Sequence, residues 1–176
     1  FFDYLADSAR LVADRNVPAT QQAIRTSVLL HLHHITRGGD PFEMEQARPL
    51  DFGHWSAHKL EAITQYGLRH GEAVAIGVAV DTAYSHLCLG FPQAEVERTF
   101  SILQDLQLPL WNAALQEEIL FDGLEEFRQH LGGELTITLL ENVGQPLNVH
   151  AIDRGAVREA VAMILGWNPT GRRENS

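Results

Sequence analysis

The sequence predicts a mainly α-helical bundle that carries one small β-hairpin. Three observations predict it. Apolar residues recur at helical spacing through most of the chain. The segment from Gly71 to Ala83 is apolar almost all round, as a central, buried helix should be. Only Leu135-Thr136-Ile137-Thr138-Leu139-Leu140 mixes β-branched and apolar residues in strand-like alternation.

Each element follows from local signals. Phe2, Leu5, Ala6, Leu11 and Val12 predict a first amphipathic helix over 2–14. Pro18-Ala19-Thr20 reads as a helix start, and that helix runs through Val28, Leu32 and Ile35 to a stop at Gly38-Gly39. A loop from Asp40 to Pro49 follows, then a helix over 55–64 broken at Tyr66-Gly67. The apolar helix begins near Gly71, and Pro92 opens the next one with Val96, Phe100, Ile102 and Leu103 inward. Leu108 to Trp111 forms a packed connection, and a short helix over 121–131 closes at Gly132-Gly133. The strand at 135–140 pairs with Asn148-Val149-His150-Ala151 across a turn at 142–146. Asp153 caps a last helix through Ile164, and Asn168 to Ser176 is a polar tail.

At 176 residues the chain suits one domain, 1–176, with its own core. Its 13 basic and 23 acidic residues leave a net charge of −10, which disfavours nucleic acid and anionic membranes as partners. Apolar runs are interrupted well short of the roughly 18 residues that a membrane span needs. The single cysteine, Cys88, has no internal disulfide partner and fits a reducing, cytoplasmic compartment. The chain opens on Phe1, directly inside an amphipathic pattern, and the expectation is that an upstream domain is absent.

Nine histidines are present, and three of them are placed suggestively. His54 and His58 are four apart and share one helix face, while His70 directly precedes the next helix. Neutral imidazoles are common zinc ligands. Spacing alone is a weak signal, since such pairs more often serve on surfaces or in packing.

The surrounding residues strengthen it. Asp51-Phe52-Gly53-His54-Trp55-Ser56-Ala57-His58-Lys59-Leu60-Glu61, followed by His70-Gly71-Glu72-Ala73-Val74, resembles the two linked signature blocks of the 3-dehydroquinate synthase family. The resemblance implies that the chain is that family's C-terminal helical metal-binding domain, without the N-terminal nucleotide-binding α/β domain. It implies Zn2+, or Co2+ or another divalent ion, held by His54 and His70, with a third ligand, a glutamate, upstream of Phe1. His58 matches the catalytic histidine beside the metal, and NAD would be bound mainly by the missing domain. The activity implied is that of a lyase: transient oxidation of a sugar phosphate, phosphate elimination, reduction and intramolecular aldol closure. A homodimer is expected of the full-length protein, and the isolated fragment is expected to be inactive. Glu61 takes a structural hydrogen-bonding role in this comparison.

Several positions depart from the family pattern. Asp51 stands where the family has asparagine, His33 falls near a usual lysine, and Arg48 is displaced by one residue from a usual arginine. A lysine-rich run is replaced by Phe127-Arg128-Gln129-His130. Asp51, Arg48, His33 and Arg128 are therefore the expected substrate-binding positions, and their identities point to a sugar phosphate of secondary metabolism rather than the heptulosonate phosphate. Two other readings stand beside this one: the metal domain of an iron- or zinc-type NAD-dependent alcohol dehydrogenase, and a non-catalytic helical module that binds a metal or partner. Lys59 reads as a surface charge, Glu72 as a dipole residue at a helix start, and Asp81 as a polar group that needs a partner if buried.

Overall fold

The computed structural model describes residues 1–37 and 49–167. Among these, α1 (Phe2–Ala13), α2 (Val17–Arg37), α3 (His54–Ile63), α4 (His70–Leu89), α5 (Gln93–Asp105), α6 (Asp122–His130) and α7 (Arg154–Gly166) form a helical assembly. A two-stranded antiparallel sheet, β1 (Ile137–Asn142) and β2 (Gln145–Val149), completes it. The expected fold class is what is found. The expected stop at Gly38-Gly39, the 40–48 loop, Arg48 and the polar tail lie outside the described residues.

The core is organised around α4. Ala73, Ile76, Ala79, Val80 and Ala83 are fully buried along it, and α3, α5, α7 and β1 all pack against it. Small side chains let neighbours approach closely, and larger ones fill the gaps from outside: Trp55 and Leu60 from α3, Phe100 from α5, Leu139 from β1. Each such side chain contributes about 1.5–3 kcal/mol by leaving water. Trp167 meets Phe100 edge-on at 5.4 Å, so this tryptophan is part of the packing.

Hydrogen bonds tie the outer elements to the same helix. The Ser85 hydroxyl accepts from the Leu140 N–H at 3.1 Å and docks β1 onto α4. The Tyr84 hydroxyl accepts from the Asp153 N–H at 3.0 Å, and Asp153 caps α7 by accepting from the Ala156 N–H at 2.8 Å. At the other edge, α1 lies against α5 through the Arg98–Asp3 and Arg10–Asp105 ion pairs, and the Tyr4 hydroxyl donates to the Ala19 carbonyl of α2 at 2.8 Å.

Three details differ from the sequence expectation. The hairpin turn is tighter than 142–146: Val143-Gly144 suffices, with Gly144 at a φ of +72°, and Pro146 sits within β2 opposite Leu140. A proline fits there because β2 is an edge strand. The stretch before α6 holds two 3-10 turns, Ala113–Gln116 and Glu118–Phe121, which have no repeating pattern long enough to read. Lys59 is not a surface charge but is buried, with its ammonium donating to Glu126 Oε1 at 2.5 Å.

Candidate metal centre

The turn that enters α3 sets the site. A 3-10 turn, Pro49–Asp51, leads into Gly53, which takes a φ of +80° that side chains rarely adopt. Gly53 also lies hard against α4: an ideal Cβ on it would stand 2.5 Å from the Val78 backbone nitrogen. Gly77 supplies the other side of this contact, since a Cβ there would come within 2.8 Å of the Gly53 carbonyl carbon. The glycine pair thus fixes where α3 begins, and His54 is its first residue.

One turn on, His58 shares the face of His54, while His70 opens α4. Arg69 and Glu72 close the start of α4, with the Glu72 carboxylate accepting from the Arg69 backbone N–H at 2.9 Å. The dipole-and-cap role expected of Glu72 is thereby seen.

The three imidazoles converge. Ring centres of His54 and His58 are 5.6 Å apart, of His54 and His70 5.5 Å, and of His58 and His70 5.9 Å. Donor atoms of His58, Glu61 and His70 all lie within 4.8 Å of one another. His70 Nδ1 is 3.2 Å from Glu61 Oε2, and His54 Nδ1 is 3.2 Å from the Phe52 carbonyl. A carbonyl and a carboxylate both accept, so each bond takes its hydrogen from Nδ1. With Nδ1 donating, Nε2 is the nitrogen of each ring left to face an ion. The donor set of imidazole nitrogens with one carboxylate suits a borderline cation such as zinc. These residues fit a divalent metal.

His58 stands slightly apart in character. Desolvation, helped by the neighbouring His54, holds its pKa below the ordinary imidazole value, while Glu61 pulls the other way. The ring is therefore neutral at physiological pH, able to take a proton. Beside it a cavity of about 170 Å³ opens between α3 and α6, lined by Trp55, Lys59, Glu126, Phe127 and His130 among others.

Of the expected substrate-binding positions, Asp51 ends the 3-10 turn three residues before His54 and is half-buried. His33 is exposed on α2 and takes no part in the ring cluster. Arg128 is engaged locally: its guanidinium donates to Glu125 and to the Gly133 carbonyl at 2.6 Å. Within the run 127–130, Phe127 and His130 are the residues that line the cavity next to His58.

Sequence reasoning missed the partners of Asp81. This carboxylate is fully buried within α4 and accepts from the Gly53 N–H at 2.8 Å and from Trp55 Nε1 at 2.8 Å. Burial pushes its pKa up to about 7 despite those two bonds. The signal available in the sequence was an acidic residue one turn after Gly77 in an apolar helix.

Comparison with known proteins now bears on this geometry. The family profile described as 3-dehydroquinate synthase C-terminal matches residues 1–129. The chain belongs to that family. Among its relatives, a 3-dehydroquinate synthase of Aeropyrum pernix is 36% identical over 110 residues, 61% of this chain and 30% of its own length. A 2-epi-valiolone synthase of Actinosynnema mirum is 30% identical over 174 residues, 93% of this chain and 44% of its own. A solved structure of a 2-epi-5-epi-valiolone synthase from Streptomyces hygroscopicus subsp. jinggangensis, with NAD+ and Zn2+ bound, shares the fold at a TM-score of 0.83 and 24% identity, covering 93% of this chain and 46% of that one. The chain spans less than half the length of each of these proteins. Among the described residues, no helix is long and apolar enough to cross a membrane.

Proposed function

We propose that this chain is the metal-binding half of an NAD-dependent sugar-phosphate cyclase, a lyase that closes a carbocycle after eliminating phosphate. The observation that carries the reading is the convergence of His54, His58 and His70 within 6 Å of one another, centre to centre.

In this reading His54 and His70 hold a divalent ion through Nε2, each ring oriented by the acceptor on its Nδ1. The His58–Glu61–His70 group is geometrically tight as well, but the Glu61 oxygen nearest His70 already accepts from Nδ1, which favours an orienting role for Glu61. A bound divalent ion supplies Lewis acidity toward a substrate hydroxyl that becomes a carbonyl. His58, held neutral, takes and returns a proton at the ring nitrogen turned toward the cluster. NAD+ would be held outside this helical domain, and the full-length protein would act as a homodimer.

The substrate proposed is a sugar phosphate without a carboxylate. Supporting this, an acidic residue, Asp51, stands three positions before His54, while the basic Lys59 and Arg128 are already paired with Glu126 and Glu125. Family membership favours the cyclase over the alcohol dehydrogenase reading. Full-length protein supplied with NAD+ and zinc, then offered a heptulose phosphate or the corresponding heptulosonate phosphate, tests the proposal. Phosphate release from the heptulose alone is expected; rapid dehydroquinate formation from the heptulosonate would overturn the substrate assignment, and release from neither would overturn the cyclase.

A further inference from the structure

We infer that Asp81 is the positioning residue of the histidine cluster: through Gly53 and Trp55 it fixes the place and direction of His54. The inference rests on the metal-site reading above and goes beyond it by naming what holds the site in shape.

Asp81 is 1% exposed, in the middle of α4, the most apolar of the described helices. A carboxylate there costs free energy unless its oxygens are satisfied. Both are, and by groups that bracket a single residue. Oδ2 accepts from the backbone N–H of Gly53, and Oδ1 accepts from the indole N–H of Trp55. His54 lies between them in sequence. Gly53 and Gly77 press the same turn onto α4 with backbone against backbone. The Cα of His54 is therefore held from both sides by one helix, and the bond from Nδ1 to the Phe52 carbonyl fixes the remaining rotation of the ring.

A merely structural role for Asp81 would be to satisfy the Trp55 indole in the core. The bond to the Gly53 N–H is not needed for that, and it ties the carboxylate to the turn that starts α3. Asparagine has nearly the same shape but offers one accepting oxygen and one NH2 group. In Asp81→Asn one of the two N–H donors must face another donor, so one end of the bracket is lost while packing is kept.

The test uses the full-length protein with selectively labelled histidine and two readouts. The first, made without metal, is the tautomer of His54 by ring-nitrogen NMR. The second is zinc affinity by competition with a chelating dye. In the wild type His54 should show a single Nδ1–H tautomer, and Asp81→Asn should turn it into a mixture and weaken zinc binding about 10- to 100-fold. Tyr84→Phe is the matched control: it removes the hydroxyl on the same helix that accepts from the Asp153 N–H and should destabilise the fold while leaving both readouts unchanged. If Asp81→Asn does not fold, Trp55→Phe removes only the indole donor and should shift both readouts the same way, less far. An unchanged His54 tautomer with unchanged zinc affinity, or equal changes in Tyr84→Phe, overturns the inference. If the wild type binds no zinc yet Asp81→Asn still disorders His54, the positioning role stands and the metal reading falls.

Discussion

Replacing Gly77 by alanine should damage this protein far more than the same change six residues earlier on the same helix. A methyl at Gly77 would stand 2.8 Å from the Gly53 carbonyl carbon and 2.9 Å from Ser56 Oγ, and closer still to the Gly53 carbonyl oxygen. Two of these are backbone atoms of a turn already at a φ of +80°, with little room to yield. Overpacking of this kind costs about 1–3 kcal/mol. Pushing the turn away also strains the Gly53 N–H bond to Asp81, and a buried group left unpaired costs about 1–3 kcal/mol more. Against this, alanine is favoured over glycine inside a helix by about 0.5–1 kcal/mol. The balance is a loss of about 1–5 kcal/mol, or a melting temperature lower by about 2–20 °C for a chain of this size. Gly71 on the same helix has nothing within 4 Å of its would-be Cβ, so Gly71→Ala should be neutral or stabilising by up to about 1 kcal/mol. Urea unfolding of both variants, followed by helical circular dichroism, decides the matter. Stabilities within about 0.5 kcal/mol of each other would refute the claim that α3 is seated by backbone contact.

Other expectations follow from the same geometry. Glu61→Gln weakens the acceptor on His70 Nδ1 and should lower zinc affinity about 10- to 100-fold without loss of fold, measured by dye competition; an unaltered affinity would show that Glu61 does not orient His70. Asp81 has its folded pKa raised to about 7 from an ordinary 3.8, so between these values the native state binds more protons than the unfolded chain. The stability it confers is then fully present below about pH 4 and is lost as pH rises to about 7, and the advantage of wild type over Asp81→Asn should shrink from pH 5 to pH 8 in urea titrations. A growing advantage over that range would contradict the burial argument. Lys59→Met keeps the buried stem and leaves Glu126, which is largely exposed, to be solvated by water, so it should cost under about 1 kcal/mol, whereas Lys59→Ala should cost about 2 kcal/mol; equal losses in calorimetry would show that the charge rather than the packing matters.

The elements with strong periodicity were legible in advance. The helix carrying Ala73 to Ala83 is central because it is apolar on every side, and the hairpin at 137–149 follows from alternation around a glycine. The histidine cluster was legible because i, i+4 spacing and a following helix start are local facts, weak alone and strengthened by the family resemblance of the two blocks that carry them. What was hidden depends on contacts distant in sequence. Lys59 is buried only because α6 brings Glu126 and the small Gly123 over it, 67 and 64 positions later. Asp81 could be flagged as anomalous, but its partners are 28 and 26 residues upstream, across a loop whose path periodicity does not reveal. Arg128 looked like an anion reader by its place in the run, and only the fold shows it closing the end of its own helix.

The seating of α3 on two glycines has a consequence for how such a domain changes over time. Imidazoles mounted on a rigid backbone joint keep their aim whatever happens to side chains around the mouth of the site. On the reading proposed above, positions 51 and 127–130 could exchange charge and size to admit a different molecule while the seat of His54 stays as it is. Under that reading chemistry and selectivity are separable, one anchored in main-chain contact and the other carried by replaceable periphery.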